Sequence, residues 1–215
     1  MADNPAPERQ RDAERTQREI LDVATQEFAE RGFAGARVDE IADRTRTTKR
    51  MIYYYFGSKE RLFLAVLQRA YAAIRAAEQT IEVDHLEPVA AIRRLAELTF
   101  DHHESHPEFI RLVSIENIHR AQHIAGQDDF AGQNSPAIEL IERILDRGRA
   151  DGTFDVDVDA VDIHMMISSF CVFRVANRHT FGTIFGRDLL DPMLRDRYRQ
   201  MLGDMVVEYL TSKRV

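Results

Sequence analysis

Cysteine, proline, glycine and lysine are all scarce in this chain of 215 residues, and the scarcity narrows what the chain can be. Its single cysteine, Cys171, cannot close an internal disulfide, so a reducing compartment is expected. Residues 1–10 are polar and carry Pro5 and Pro7, with no apolar stretch of the kind a signal peptide needs. No apolar run reaches the length of a membrane span; the richest, residues 163–175, is interrupted by His164, Ser168, Ser169 and Arg174. A cytoplasmic protein without a membrane partner is expected. Ten glycines and six prolines leave few breaks in long helical patterns. Strand-like alternation and repeats of 20–50 residues are missing, so the fold class reads as all-α. There is no serine or cysteine nucleophile signature and no glycine loop to cradle phosphates, so the chain reads as non-enzymatic, with no cofactor.

What is present is a succession of helix signals. Residues 1–10 are expected to be a disordered arm, with helical spacing from about Arg11. Ile20, Ala24 and Phe28 recur every four residues, and Gly32 stands where a left-handed cap residue closes a helix. Two short helices follow, about 38–45 and 49–55, with Thr47 or Thr48 able to cap the second. Ser58 caps a longer helix carrying Leu62, Phe63, Val66 and Leu67. Further helices are expected over 89–103, from Pro107, from Ser135-Pro136 to about Arg149, over 160–180 and over 192–211, with a mobile loop at 124–134.

Charge is unevenly spread. The net charge of −7 argues against a nucleic-acid binder when taken whole. Residues 1–61, however, hold 12 Lys+Arg and 12 Asp+Glu, so the entire excess of acid lies in residues 62–215. Between Arg44 and Arg61, six basic residues face Glu60 alone, a net +5 in eighteen residues. That block coincides with the two short helices, the layout of a helix-turn-helix whose second helix enters the DNA major groove. Ile52 and Phe56 are spaced to face inward. Lys49, Arg50, Met51, Tyr53 and Tyr54 take the remaining face, where tyrosine hydroxyls can bond phosphates.

Residues 38–62, VDEIADRTRTTKRMIYYYFGSKERL, resemble the tetracycline-repressor (TetR) family of bacterial transcriptional regulators. The tail of the run, Ile52 to Leu62 with Tyr53-Tyr54-Tyr55-Phe56 and Lys59-Glu60, carries most of the resemblance. It implies a helix-turn-helix DNA-binding domain at residues 11–57 and a helical effector-binding and dimerisation domain at 58–215. It implies further that Thr48, Lys49, Arg50 and Met51 begin the recognition helix. Tyr53, Tyr54 and Lys59 match residues that grip phosphates, as does Arg37 ahead of the second helix. Arg50 is the candidate for base readout, because a guanidinium addresses guanine O6 and N7 together. The family's usual Ala-Gly-Val turn is replaced by Thr45-Arg46-Thr47, so either the turn differs or Arg46 accepts a left-handed backbone while adding a phosphate contact. Thr47 is grouped with the DNA-facing residues. The usual Ser or Thr cap of the second helix is not evident at Arg37-Val38.

In that family the C-terminal helices form a homodimer and hold a small-molecule pocket. The last two long helices suit dimerisation, since each is apolar over more than one face. Pocket candidates are Phe100, Phe170 and Phe173, with Glu116, Asn117, His119, His123, Arg174 and Asn177 as polar groups. The expected function is a repressor released by a small-molecule effector from a pseudo-palindromic operator of double-stranded DNA. An alternative is a helical interaction or metal-binding bundle without DNA binding. Glu116-x-x-His119 has the spacing of di-iron bundles but lacks a second such pair, and His102, His103 and His106 lack a further ligand type, so no metal is expected.

Overall fold

The structure, a computed structural model, describes residues 6–127, 130 and 136–212. Among them are ten helices and no strand: α1 (Ala6–Gly35), α2 (Val38–Arg44), α3 (Lys49–Phe56), α4 (Lys59–Gln79), α5 (Pro88–Ser105), α6 (Pro107–Ile118), α7 (Pro136–Ala150), α8 (Ala160–Ala176), α9 (Arg178–Phe185) and α10 (Pro192–Thr211). None is long and apolar enough to cross a membrane. The chain forms two compact units, one of Met1–Tyr71 with Arg111–Ala131, the other of Ala72–Ile110 with Gly132–Val215.

In the first unit, Ile20, Ala24 and Phe28 bury one stripe of α1 against Ile41, Ile52, Leu62, Phe63 and Leu112. Helix α1 begins at Ala6, so the arm expected over residues 1–10 is helical from residue 6. Pro7 does not prevent this, because a first-turn N–H has no intrahelical acceptor to lose. Residues 1–5 lie outside the described residues. Gly32, with φ 69, breaks the helix where the sequence places its cap. The Thr48 hydroxyl accepts the Met51 N–H at 3.2 Å and so caps α3. Ser58 does the same for α4 through the Arg61 N–H, at 3.2 Å.

The α2–α3 turn keeps the geometry that a glycine would usually supply. Arg46 has φ 51, and the Thr47 N–H reaches back to the Ala42 carbonyl at 3.1 Å, a bond that closes the end of α2 over a left-handed residue. A side chain in that conformation costs roughly 1–2 kcal/mol. The arginine thus holds a strained backbone in place, with its guanidinium exposed.

In the second unit α5 is central and packs on α7, α8 and α10. Phe100, Leu95, Ile144, Ile163, Ile167, Leu202 and Val206 fill the core between them. The helix expected over 160–180 is broken at Asn177, whose φ of −100 and ψ of 4 end α8 and start α9. Asparagine is a poor interior residue and a good terminal one, because its amide competes for backbone partners. The expected Ser135 cap and most of the loop over 128–135 fall outside the described residues.

One contact in this core is intolerant of a single carbon. A Cβ at Gly148 would stand 2.1 Å from Cδ2 of Phe154, whose ring is itself buried. Gly148→Ala is expected to lower stability by about 2 kcal/mol through overpacking, a loss that chemical denaturation would measure.

Candidate nucleic-acid interface and ligand cleft

Helix α3 is divided by face. Ile52 is buried, and Tyr55 and Phe56 pack partly buried on the same core. Outward lie Lys49, Arg50, Tyr53 and Tyr54, with Tyr54 78% exposed, too wet for a ring without a partner surface. Met51 is exposed beside them. Arg37, Arg46 and Thr48 are exposed and Thr47 half-buried, so the candidates of residues 37–54 lie on the surface of one unit.

The cations differ in how they are held. Lys49 Nζ lies 3.1 Å from each oxygen of Asp39, which ties α3 to α2. Lys59 Nζ donates to the Ala34 carbonyl at 3.4 Å and sits 5.0 Å above the Phe33 ring. Its charge is thereby fixed near the first turn of α4. Arg50 has no partner among the described residues and is free to engage a ligand. The carboxylate of the basic block, Glu60, is kept ionised below its ordinary range by its own backbone N–H and the Ser58 hydroxyl.

The nine candidates for effector binding divide between the units. In the first, Glu116 is buried and accepts the backbone N–H of His123 at 2.8 Å and of Ile124 at 3.2 Å. Its second oxygen meets His123 Nδ1 at 2.7 Å. The His123 ring packs 4.6 Å from Phe33 and 5.0 Å from Phe63. His119 stands 5.9 Å from His123, and Asn117 is exposed with its amide on the Val113 carbonyl. This set closes a turn in which Arg120 and Ala121 both have φ 57.

The remaining five are in the second unit. Arg174 is buried, stacks 3.9 Å from the Phe100 ring, and donates twice to Glu104 Oε2 at 3.2 Å and once to the Leu189 carbonyl at 3.0 Å. Phe170 lies 6.5 Å from Tyr198, Phe173 is exposed against Phe181, and Asn177 is the α8 cap.

None of these nine lines the principal cleft of the second unit, a space of about 430 Å³. Ile74, Ile81 and Leu98 give it an apolar wall, while Glu78, Glu82 and Arg94 add charge. His102 and His103 complete it. Burial, with His106 and His103 nearby, pushes the His102 pKa down to about 4, so its ring is neutral at neutral pH. Burial lowers His103 as well, and its Nδ1 lies 2.8 Å from the Thr99 carbonyl. A neutral ring donating there keeps Nε2 as an acceptor. Sequence reasoning weighed these histidines only as metal ligands; the readable signal was Thr99, His102 and His103 sharing one side of α5. Among the described residues no group of three or more ligand side chains is arranged for a metal ion.

Two family models match the chain. One, described as "Bacterial regulatory proteins, tetR family", covers residues 20–66, and one described as "Tetracyclin repressor-like, C-terminal domain" covers 88–206. The HTH-type transcriptional repressor NicS of Pseudomonas putida is 33% identical over 202 residues, 94% of this chain and 95% of that one. The HTH-type transcriptional repressor SCO4008 of Streptomyces coelicolor is 40% identical over 103 residues, 48% of this chain and 50% of its own. Among solved structures, the putative transcriptional regulator SCO4942 from Streptomyces coelicolor aligns with a TM-score of 0.66 and 28% identity, covering 93% of this chain and 99% of that one.

Proposed function

Because the chain belongs to the TetR family of bacterial transcriptional regulators, we propose that it acts as a homodimeric repressor whose α3 helices read successive major grooves of a pseudo-palindromic operator. The observation that carries this reading is the two-faced α3: Ile52 anchored in the core, and Arg50, Tyr53 and Tyr54 presented outward beside a turn that exposes Arg46. Arg50 reads a guanine edge. Tyr53, Tyr54, Arg37, Arg46, Thr47 and Lys59 hold phosphates, and Lys49, shared with Asp39, braces the two helices as well.

Two variants separate base reading from phosphate grip, by fluorescence anisotropy on operator and mismatched duplexes. Arg50→Ala is expected to cost about 1–3 kcal/mol on the operator and to narrow the gap between matched and mismatched sites. Lys59→Ala is expected to weaken all sequences alike and to lower the slope of log K against log salt by about one. Identical behaviour of the two would refute both assignments.

The effector site that fits the second unit best is the cleft lined by Ile74, Leu98, His102 and His103. It suits a compound with an apolar body and a hydrogen-bond donor for the His103 acceptor. Helix α4 supplies Ile74, Ala77 and Glu78 to this cleft and Leu62, Phe63, Val66 and Leu67 to the core that seats α3. A ligand that favours one placement of α4 over another would therefore change operator affinity, which is the differential binding that allostery requires.

A further inference from the structure

Helix α2 has no cap of its own. Arg37 occupies its N-cap in extended conformation and makes no side-chain cap bond. The missing acceptor comes from ten residues back on α1, where Glu27 Oε1 receives the Arg37 backbone N–H at 3.2 Å. The same oxygen lies 3.3 Å from Arg31 Nε, and Oε2 lies 3.6 Å from Arg44 in the last turn of α2. One carboxylate therefore touches the first and last turns of a seven-residue helix.

Glu27 is 2% exposed, whereas the side chains of Arg31 and Arg44 are 58% and 40% exposed. The carboxylate bears the desolvation while its partners stay wet. An apolar residue would fill the position at lower cost, and replacing buried ionic groups by apolar ones is commonly neutral or stabilising. A charge kept in such a place is better explained by what it orients.

We propose that Glu27 is a positioning residue for operator recognition: it sets the start of α2, and with it the Arg37 backbone, from a fixed point on α1. The bond from the Thr47 N–H to the Ala42 carbonyl passes the placement of α2 on to α3. Glu27 touches no DNA itself and acts through Arg37 and the seating of the turn. This inference rests on the DNA-binding reading.

The test uses the full-length dimer, with Glu27→Leu, Glu27→Ala, Glu27→Gln, Arg37→Ala and the double variant Glu27→Leu/Arg37→Ala. Operator affinity, its salt slope and the melting temperature are measured for each. Glu27→Leu is expected to keep its melting temperature within a few degrees, to lose at least tenfold in operator affinity, and to lose about one unit of salt slope. Glu27→Ala, measured so that a misfolded leucine variant does not settle the matter, is expected to show the same loss. Glu27→Gln keeps an acceptor for the Arg37 N–H and is expected to bind within about threefold of wild type. The double variant is expected to lose no more than Arg37→Ala alone, since residues acting through one contact are not additive. Wild-type affinity and slope in both Glu27→Leu and Glu27→Ala, additive losses in the double variant, or a glutamine variant as weak as the leucine one would overturn the role of Glu27. Absence of salt-dependent operator binding by the wild type would instead remove the DNA-binding reading, and this inference with it.

Discussion

Met201→Glu combined with Met205→Glu is expected to give a folded monomer whose operator affinity is at least about a thousandfold below that of the wild type, the gap that separates specific from non-specific binding. Both methionines lie on an exposed face of α10, in line with Met193. Helix α8 carries a similar stripe of Val161, Met165 and Phe173, all exposed. The opposite faces of the same helices are already committed, through Ile163, Ile167 and Cys171 on α8 and Leu202, Val206 and Leu210 on α10. Helices that are apolar on two faces bury the second against another surface, and a second copy of the same pair is the proposed partner. Two carboxylates there would have to be desolvated opposite apolar side chains, which costs more than the contact returns. Since the substituted side chains are partly exposed in the single chain, the fold should survive. Sedimentation velocity with anisotropy checks both halves. A double variant that remains dimeric would place the interface elsewhere.

Glu116→Ala is expected to cost about 3 kcal/mol of stability. The substitution removes the acceptor of two backbone N–H groups and the partner of a histidine ring held between two phenylalanines. It also loosens a turn in which two successive residues without glycine's freedom, Arg120 and Ala121, are held at positive φ. Such a loss corresponds to a fall in melting temperature of roughly 6–12 °C for a chain of this size. Asn117→Ala, one residue away on the exposed side, is expected to change stability by no more than about 0.5 kcal/mol. A Glu116→Ala protein as stable as the wild type would mean that the buried carboxylate does not hold this turn.

The parts of this structure that were legible in the sequence are those set by neighbours three or four residues apart. Thr48 and Ser58 as caps, Ile52 as the buried anchor of α3, Gly32 as a terminator and the proline starts of α6 and α10 all follow from local rules. The left-handed turn at Arg46 was legible as one of two alternatives, and the structure takes the strained one. What was not legible depends on distant partners. Glu27 reads as one more polar residue of α1 until α2 folds back onto it. Arg174 shows its role only when Phe100 and Glu104 on α5 meet α8. The break at Asn177 was hidden because apolar residues continue on both sides of it. The cleft escaped because its walls come from the end of α4, the segment after it and α5, and a side chain's proximity to an empty volume leaves no periodic mark.

The net charge of −7 makes the electrostatics of the DNA-binding head the most exposed part of the reading. The measurement that bears on it most directly is operator affinity as a function of salt, on a duplex recovered from genomic fragments that the protein binds. If the basic surface around α3 grips phosphates from both protomers, six to ten contacts would make affinity fall by roughly 10³–10⁵ between 50 and 200 mM salt. Binding that stays flat across that range, or that is equally tight for any acidic or neutral surface, would contradict a phosphate-gripping head.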